Sequence, residues 1–431
     1  MSTSPVAKLL SRSDNRITLQ LDVDLSGSLL TMEESILDGC NQLGCLATAE
    51  ALSRFDTDGT PISLGSTKLT SRTQADKTYH SPYGKVRVKR HVYQTSKGGK
   101  IYCPLETSAR IIQNATPRFA KMLSSKYARL NANETRHDLE DNHGCKLSNC
   151  YLQQVTNRVG AIAQSKEEVW AYSTPELDED VKMISMSLDG AMLPMRGGDW
   201  REAMVASLSL YDAEGQRLHS IYLGASPEYG KHEFKQRFIK EAQHVTALYP
   251  TAHRLGIADG ASMNWTILEP LVQHKILDFY HVTEYLAEAA YCAHPEKAGK
   301  PKRQAWLSEQ CHTLKHEEGG AGKVLKELKR VSRKRLSADI KEKVTVAIRY
   351  FGNHLSMMNY AGYRQQSFPI GSGVTEAACK SLIKQRFCRS GMRWKDKGIK
   401  TVLCLRSLVL TKDRWKQFWE KIDRYGTGVL A

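Results

Sequence analysis

The sequence predicts a mixed α/β protein whose sheet-bearing core is interrupted by an all-helical segment and preceded by an α+β region. Three observations predict it. Between about 181 and 282, three successive β-like runs (KMISMSLDG, AMVASLSLYD, RLHSIYLGAS) give way to alternating helix and strand patterns. From Thr283 to about Tyr363 the pattern is helical and basic, with no strand candidate. Upstream, a strand ribbon and several helices share residues 1–172.

At 431 residues the chain is long enough for roughly two to four domains. With 41% hydrophobic and 25% charged residues, wholesale disorder and a collagen-like chain are excluded. No run approaches about 18 apolar residues, and the start MSTSPVAKLLSRSDNR lacks the apolar stretch of a secretory signal, so a cytoplasmic or nucleoid-associated protein is expected, with no membrane partner. The net charge is +16, and it is concentrated. Residues 297–349 carry 15 Lys/Arg against 6 Asp/Glu, and residues 377–416 carry 12 against 2, so the rest of the chain is slightly acidic. Such blocks can neutralise phosphates and release counterions, or they can be solvated helix faces. In the second block aromatics interleave with the charge (Phe387, Trp394, Trp415, Phe418, Trp419), which favours nucleic acid.

Residues 28–55 have a helical mix, and Asp56 to Gly65 is a polar break. In YGKVRVKRHVYQTSKGGKIYCPLE, Val86, Val88 and Val92 share one face, and Arg87, Lys89, His91 and Tyr93 the other, with a turn at Ser96 to Gly99. This predicts a two-stranded ribbon with a basic face, a DNA contact or a solvated sheet face. The ribbon closes an N-terminal region, 1–115. Residues 116–172 then predict helices near 117–130 and 133–142, and a third opening at Ser148 after His143 and Gly144. That succession fits a helix-turn-helix, and also a plain helical bundle.

The acidic stretch STPELDEDV marks a boundary. The core's first part is placed at 181–282, where the three β-like runs precede the helix HEFKQRFIKEAQHVTAL, the strand RLGIADGA, the helix NWTILEPLVQ and the strand KILDFYHV. The helical insertion follows at 283–366. A final core helix falls in 367–400, running from about Val374 to Arg389, and 401–431 ends the chain as a basic, aromatic helix.

Three carboxylates stand out. Asp189 is placed at the end of the first core strand and Asp259 at the end of the fourth, each followed by Gly; Glu376 sits in the first turn of the helix after GSGV. If the two strands are neighbours, the aspartates can share divalent cations, and the third acid completes an oxygen-only cage suited to magnesium or manganese. Each acid also has a plain reading: Asp-Gly is a common turn dipeptide, and an acid at a helix start favours the dipole. The ten cysteines show no CxxC spacing. Cys292, His294, Cys311, His312 and His316 form the nearest thing to a zinc set, at spacings loose enough for mere packing.

In SLDGA, GIADGA, ILDFYHVTEYL and PIGSGVTEAACKSLIKQRFCRSGMRW, the chain resembles bacterial insertion-sequence transposases of the Kra-type group, members of the DDE superfamily with an RNase H-like catalytic core. The resemblance spans about Met183 to Trp394; upstream of 180 it is one of layout. It implies that Asp189, Asp259 and Glu376 are the catalytic, metal-binding acids, holding two Mg2+ ions, with Mn2+ as a substitute. It also implies an RNase H-like mixed sheet with an all-helical insertion, behind an α+β DNA-binding region. Asp278 to His281 is similar to the Cys/Asp-x-x-His motif of several transposase groups, which puts His281 near the DNA end. Lys380 and Lys384, one and two turns after Glu376, would hold the terminal phosphodiester, and Arg386, Arg389, Arg393 and Trp394 would add to the DNA contact. The position seven after the Glu, often Lys in related groups, is Ile383 here, so that contact shifts to Lys384.

The activity implied is cleavage at transposon ends and strand transfer into target DNA. The partners implied are double-stranded DNA, as terminal inverted repeats and target, and a second copy of the chain or more in a synaptic complex. An RNase H-like nuclease that cuts without joining and a transposase-derived DNA-binding regulator are the alternatives, with a zinc hydrolase behind them.

Overall fold

The computed structural model describes residues 5–167, 169–228, 231–296, 299–334 and 337–428. It is mixed α/β, as expected, with antiparallel and mixed sheets. Two units result: residues up to Lys166 together with those from Trp415 onward, and Glu167–Arg414.

The first unit opens on a hairpin that was not among the expected elements, β1 (Val6–Ser13) with β2 (Arg16–Asp22). In β2 the half-buried Ile17, Leu19 and Leu21 alternate with the exposed Thr18 and Gln20, a period-two signal that the reading of the sequence passed over. The helix Leu29–Ser53 follows, begun by the side chain of Ser28 accepting from Thr31 N–H. A second sheet runs β3 (Ile62–Leu64), β4 (Thr67–Ser81), β5 (Gly84–Thr95), β6 (Gly98–Tyr102). The expected ribbon is therefore β5 with β6, but its longer partner is β4. Val86 and Val88 pack inward with Tyr79, Leu52 and Leu105.

The opposite face differs from expectation. Lys85, Arg87 and Lys89 are exposed, but Tyr93 is fully buried, its hydroxyl bonded to that of Thr57 at 2.7 Å. The His91 ring lies 3.0 Å from Asp56. The polar break covers the second half of the face, leaving only the first half cationic and open.

Three helices, Pro117–Arg129, Ala132–His143 and Asn149–Lys166, match the predicted succession and pack on one another. The second starts in a capping box, Asn131 with Glu134, and stops at Gly144, whose φ of 63° few other residues adopt without cost. In the helix Arg414–Tyr425, Phe418 and Trp419 are buried. Buried like Phe387 in the other unit, they pack rather than offer stacking surfaces, so of the five aromatics in the second basic block only Trp394 and Trp415 are partly exposed.

The second unit is built on a five-stranded sheet in the order β11-β10-β7-β8-β9. Strands β7 (Met183–Pro194), β8 (Trp200–Tyr211) and β9 (Arg217–Ala225) are antiparallel; β10 (His253–Ala258) runs parallel to β7, and β11 (His274–Leu277) parallel to β10. Residues Met183 to Leu188 are buried without alternation, the sign of a sheet covered on both faces. The helix His232–Leu248 lays Phe234, Phe238, Ala242 and Val245 into the core. Edge strand β9 is closed by hydroxyls: Ser407, in the helix Asp396–Leu410, accepts from Gly224 N–H at 3.0 Å and Thr411 from Tyr222 N–H at 3.1 Å.

Strand β11 is shorter than its run suggests. Asp278 caps a helix that starts at once, Phe279–Ala293, four residues before the predicted insertion boundary. Lys300–His316, Gly320–Ser332, Ala338–His354 and Tyr360–Gln365 complete the insertion. In Gly320–Ser332, Val324, Leu328 and Val331 are buried, so the first basic block includes an amphipathic helix face. Cys292 is buried with its thiol on Ile340 O, and the Cys/His set of 292–316 is not gathered into a metal cluster among the described residues. All ten cysteines are free thiols, and no described helix is long and apolar enough to cross a membrane.

Candidate active site

Strands β7 and β10 are neighbours, with Ser187 opposite Ile257. Continuing that register two residues brings Asp189 abreast of Asp259, on strands spaced about 4.8 Å apart. Asp189 is not at a strand end, as expected, but inside β7, because the β7–β8 hairpin stays paired through Pro194 and Trp200. What ends at this level is β10, whose last residue is Ala258. Asp189 is thus flanked by β8 on one side and by the opening loop of Asp259 on the other.

That loop is fixed by its own side chains. Asp259 Oδ1 accepts from Ala261 N–H and from the Asn264 amide, each at 3.0 Å, and Asn264 also reaches Leu188 O at 3.5 Å, tying the two strands together. The Trp265 indole donates to Asp259 O at 2.7 Å and is buried, whereas Trp200 is 55% exposed. Asp189 accepts from Gly190 N–H at 2.7 Å and from the Cys379 thiol at 3.3 Å.

Glu376 arrives from another element. Its helical turn, Gly373–Ala378, packs over β7 and β8, pinned by the Thr375 hydroxyl on that of Ser207 at 2.6 Å. Ser372 stands at the N-cap but does not cap. Its hydroxyl and its N–H both go to Asp278 Oδ2, and it also approaches Glu376 Oε1 at 3.4 Å. Asp278 is fully buried, and its other oxygen accepts from Tyr280 and His281 N–H.

The one set of potential ligand atoms gathered within 4.8 Å among the described residues is therefore Asp278, His281 and Glu376. Asp189 and Asp259 lie outside it. Four donors already occupy Asp278, so it is better suited to brace the site than to bind an ion. Burial, then the negative charge of Asp278 and more weakly that of Asp189, push the Glu376 carboxyl above its ordinary range, while His281 and Ser372 pull it back. A divalent cation beside Asp189 and Glu376 would relieve this crowding of like charge. Oxygen donors from Asp189, Asp259 and Glu376 are of the kind that Mg2+ and Mn2+ prefer.

The basic residues after Glu376 divide. Lys380, Lys384 and Arg393 are exposed and Arg389 partly so; Trp394 and, from before Glu376, His281, expected at the same DNA contact, are also partly exposed. Arg386 is the exception to the expected phosphate-facing set. It is 1% exposed, with its guanidinium 5.0 Å from the Trp394 ring. The cause is local: residues Cys379–Lys384 form a π segment, so the positions after it do not fall where an α-helix would put them. Beyond the helix the chain returns to β7, with Arg196 N–H donating to Trp394 O at 2.8 Å, which brings Arg393 to the end of that strand.

Between the Asp259 loop and the insertion lies an open cleft of roughly 490 Å³, lined among others by Asp259, His281, Tyr285, Tyr350 and His354. Tyr285 and Tyr350 stack at 3.9 Å. Gly260 abuts this wall: a Cβ there would lie 2.6 Å from the Tyr350 ring. Sequence reasoning missed Asn264, Ser372 and Cys379 as partners of the acids, and no local pattern marks them. Asp278 did carry a signal, an acid directly before a helical run.

No family model matches the chain, and no curated protein matches it.

Proposed function

We propose that this chain is a DNA transposase of the DDE superfamily, with an RNase H-like core, that cuts at transposon ends and joins the freed 3′ ends to target DNA. The observation that carries the reading is the register of β7 and β10, which, continued past Ile257 and Ser187, runs Asp189 abreast of Asp259, while the helix of Glu376 reaches Asp189 through the Cys379 thiol at 3.3 Å. The strand order adds support: three antiparallel strands, then two parallel to the first across a helix, with the helical insertion entering after the fifth.

Two magnesium ions, when bound, would supply charge neutralisation at the phosphate and a nucleophilic oxygen at neutral pH. Asp189, Asp259 and Glu376 would hold them. Asn264 and the Ala261 N–H keep Asp259 from turning away, and Ser372 and Asp278 hold the turn that carries Glu376. Lys380 and Lys384, exposed on the helix that carries Glu376, would present positive charge to a terminal phosphodiester, and Arg393, at the end of β7, would add to it farther along the DNA. Catalysis on this reading is positioning and electrostatics, with no covalent protein intermediate. Pairing two transposon ends calls for at least two copies of the chain on duplex DNA, which suits a nucleoid location.

The test is joining of pre-cleaved ends, taken from inverted repeats flanking the coding region, to target DNA in magnesium. Joining that requires all three acids supports the reading. Cleavage without joining would assign a nuclease instead, and duplex binding with neither would assign a regulator.

A further inference from the structure

The helix that carries Glu376 is irregular. Gly373–Ala378 is α-helical, Cys379–Lys384 is a π segment, and Gln385–Phe387 returns to the α form. Gln385 N–H reaches back five residues to Lys380 O, whereas Cys388 N–H reaches back four to Lys384 O. Returning from five-residue to four-residue spacing leaves one carbonyl over between those points, and a buried carbonyl needs a donor. A side chain from a different helix arrives there. Arg406, in Asp396–Leu410, is 4% exposed; its Nε donates to Leu382 O at 2.9 Å and a terminal amino group donates to Ser381 O.

We infer that Arg406 is a positioning residue: by supplying donors to the Ser381 and Leu382 carbonyls it holds the π turn, and the π turn sets where Lys384 lies relative to Glu376. The inference rests on the transposase reading for its consequence, though not for its geometry. A π turn contains one residue more than the α-helix it replaces. Were the segment to relax, everything beyond it would move against Glu376 by one helical step, about 100° around the axis and 1.5 Å along it. Lys384 would leave the face it now occupies, and Arg386 would leave its seat over Trp394. A guanidinium suits the task because its planar fork can serve two carbonyls at once, which an ammonium on a flexible stem does poorly.

The test uses the full chain with Arg406→Lys and Arg406→Met. Hydrogen exchange is followed in peptides covering 379–388, with 183–194 as the internal control. We expect exchange in 379–388 to quicken at least about tenfold in both variants, with the control unchanged. Joining of pre-cleaved ends should fall about 100-fold, the scale of a misplacement near 1 Å, while duplex binding holds. A third variant, Arg406→Met with Ser381 deleted, removes the extra residue. It should recover both protection and joining, because the shorter chain keeps Lys384 on the face it now occupies, an outcome that a purely stabilising role for Arg406 would not give.

Unchanged exchange in 379–388 would overturn the inference, as would a deletion variant that regains protection but not joining. If Arg406→Met does not fold, Arg406→Lys decides by the same readouts. If the wild type joins no DNA, the transposase reading fails, and the exchange measurement still decides whether Arg406 holds the π turn.

Discussion

Replacing Asp278 separates a brace from a metal ligand. Its carboxylate is fully buried and takes four donors: Tyr280 and His281 N–H on one oxygen, Ser372 N–H and hydroxyl on the other. In Asp278→Ala the helix Phe279–Ala293 loses its N-cap, worth about 1 kcal/mol. The Ser372 N–H is stranded in a residue only 7% exposed, at a further cost of about 1–3 kcal/mol. Relief of the repulsion on Glu376 returns a fraction of this, so a net loss of about 2–4 kcal/mol is expected. Asp278→Asn should be nearly as damaging. Both oxygens face donors, and either orientation of the amide points an NH2 group at one of them.

The assay is urea unfolding in the presence of a chelator, read as a fall in midpoint at constant m. If either variant matches the wild type or exceeds it without metal, Asp278 is held against its preference, as a ligand would be, and the brace argument is wrong.

Three further outcomes follow from the same geometry. Glu376 has a raised carboxyl pKa, so it keeps its proton to higher pH than a free glutamate; Mn2+ binding, followed by calorimetry, should strengthen as pH rises through that value, and Glu376→Gln should flatten the dependence. His219 is buried, and desolvation, with Arg414 and Lys412 nearby, lowers its pKa from 6.5 to about 4. Its contribution to stability is therefore complete above about pH 6.5 and is lost as pH falls toward 4, by at most about 3 kcal/mol; His219→Gln should remove that part of the acid limb in urea midpoints. Gly260→Ala places a Cβ against a Tyr350 ring already stacked on Tyr285, so about 1–3 kcal/mol of stability should go, seen as a lower urea midpoint, unless the Asp259 loop shifts.

Much of the core was legible because its elements advertise themselves. The 17-residue helix His232–Leu248 and strands β7 to β10 fall where periodicity puts them. Hairpin β1–β2 was missed although β2, RITLQLD, alternates apolar and polar residues, because β1 loses that alternation after Leu9. Strand β11 ends early because capping by Asp278 outweighs the β character of Phe279, Tyr280 and Val282. Asp189 lies inside a strand because β8 stays paired past it, a tertiary fact with no local trace. Arg386 turned inward for a similar reason: helical spacing cannot foresee a π segment that depends on Arg406, twenty residues downstream. The acids themselves stood out by their places in the sequence and took their roles from the resemblance, while their supports, Ser372 and Asn264, emerged only in three dimensions.

The measurement that bears most directly on the whole account is magnesium-dependent joining of pre-cleaved terminal-repeat DNA by Asp189→Asn, Asp259→Asn and Glu376→Gln, each beside a duplex-binding control. Each variant should bind DNA like the wild type and join at least about 100-fold more slowly. Joining at the normal rate by any one of them would contradict the claim that these acids together carry the chemistry.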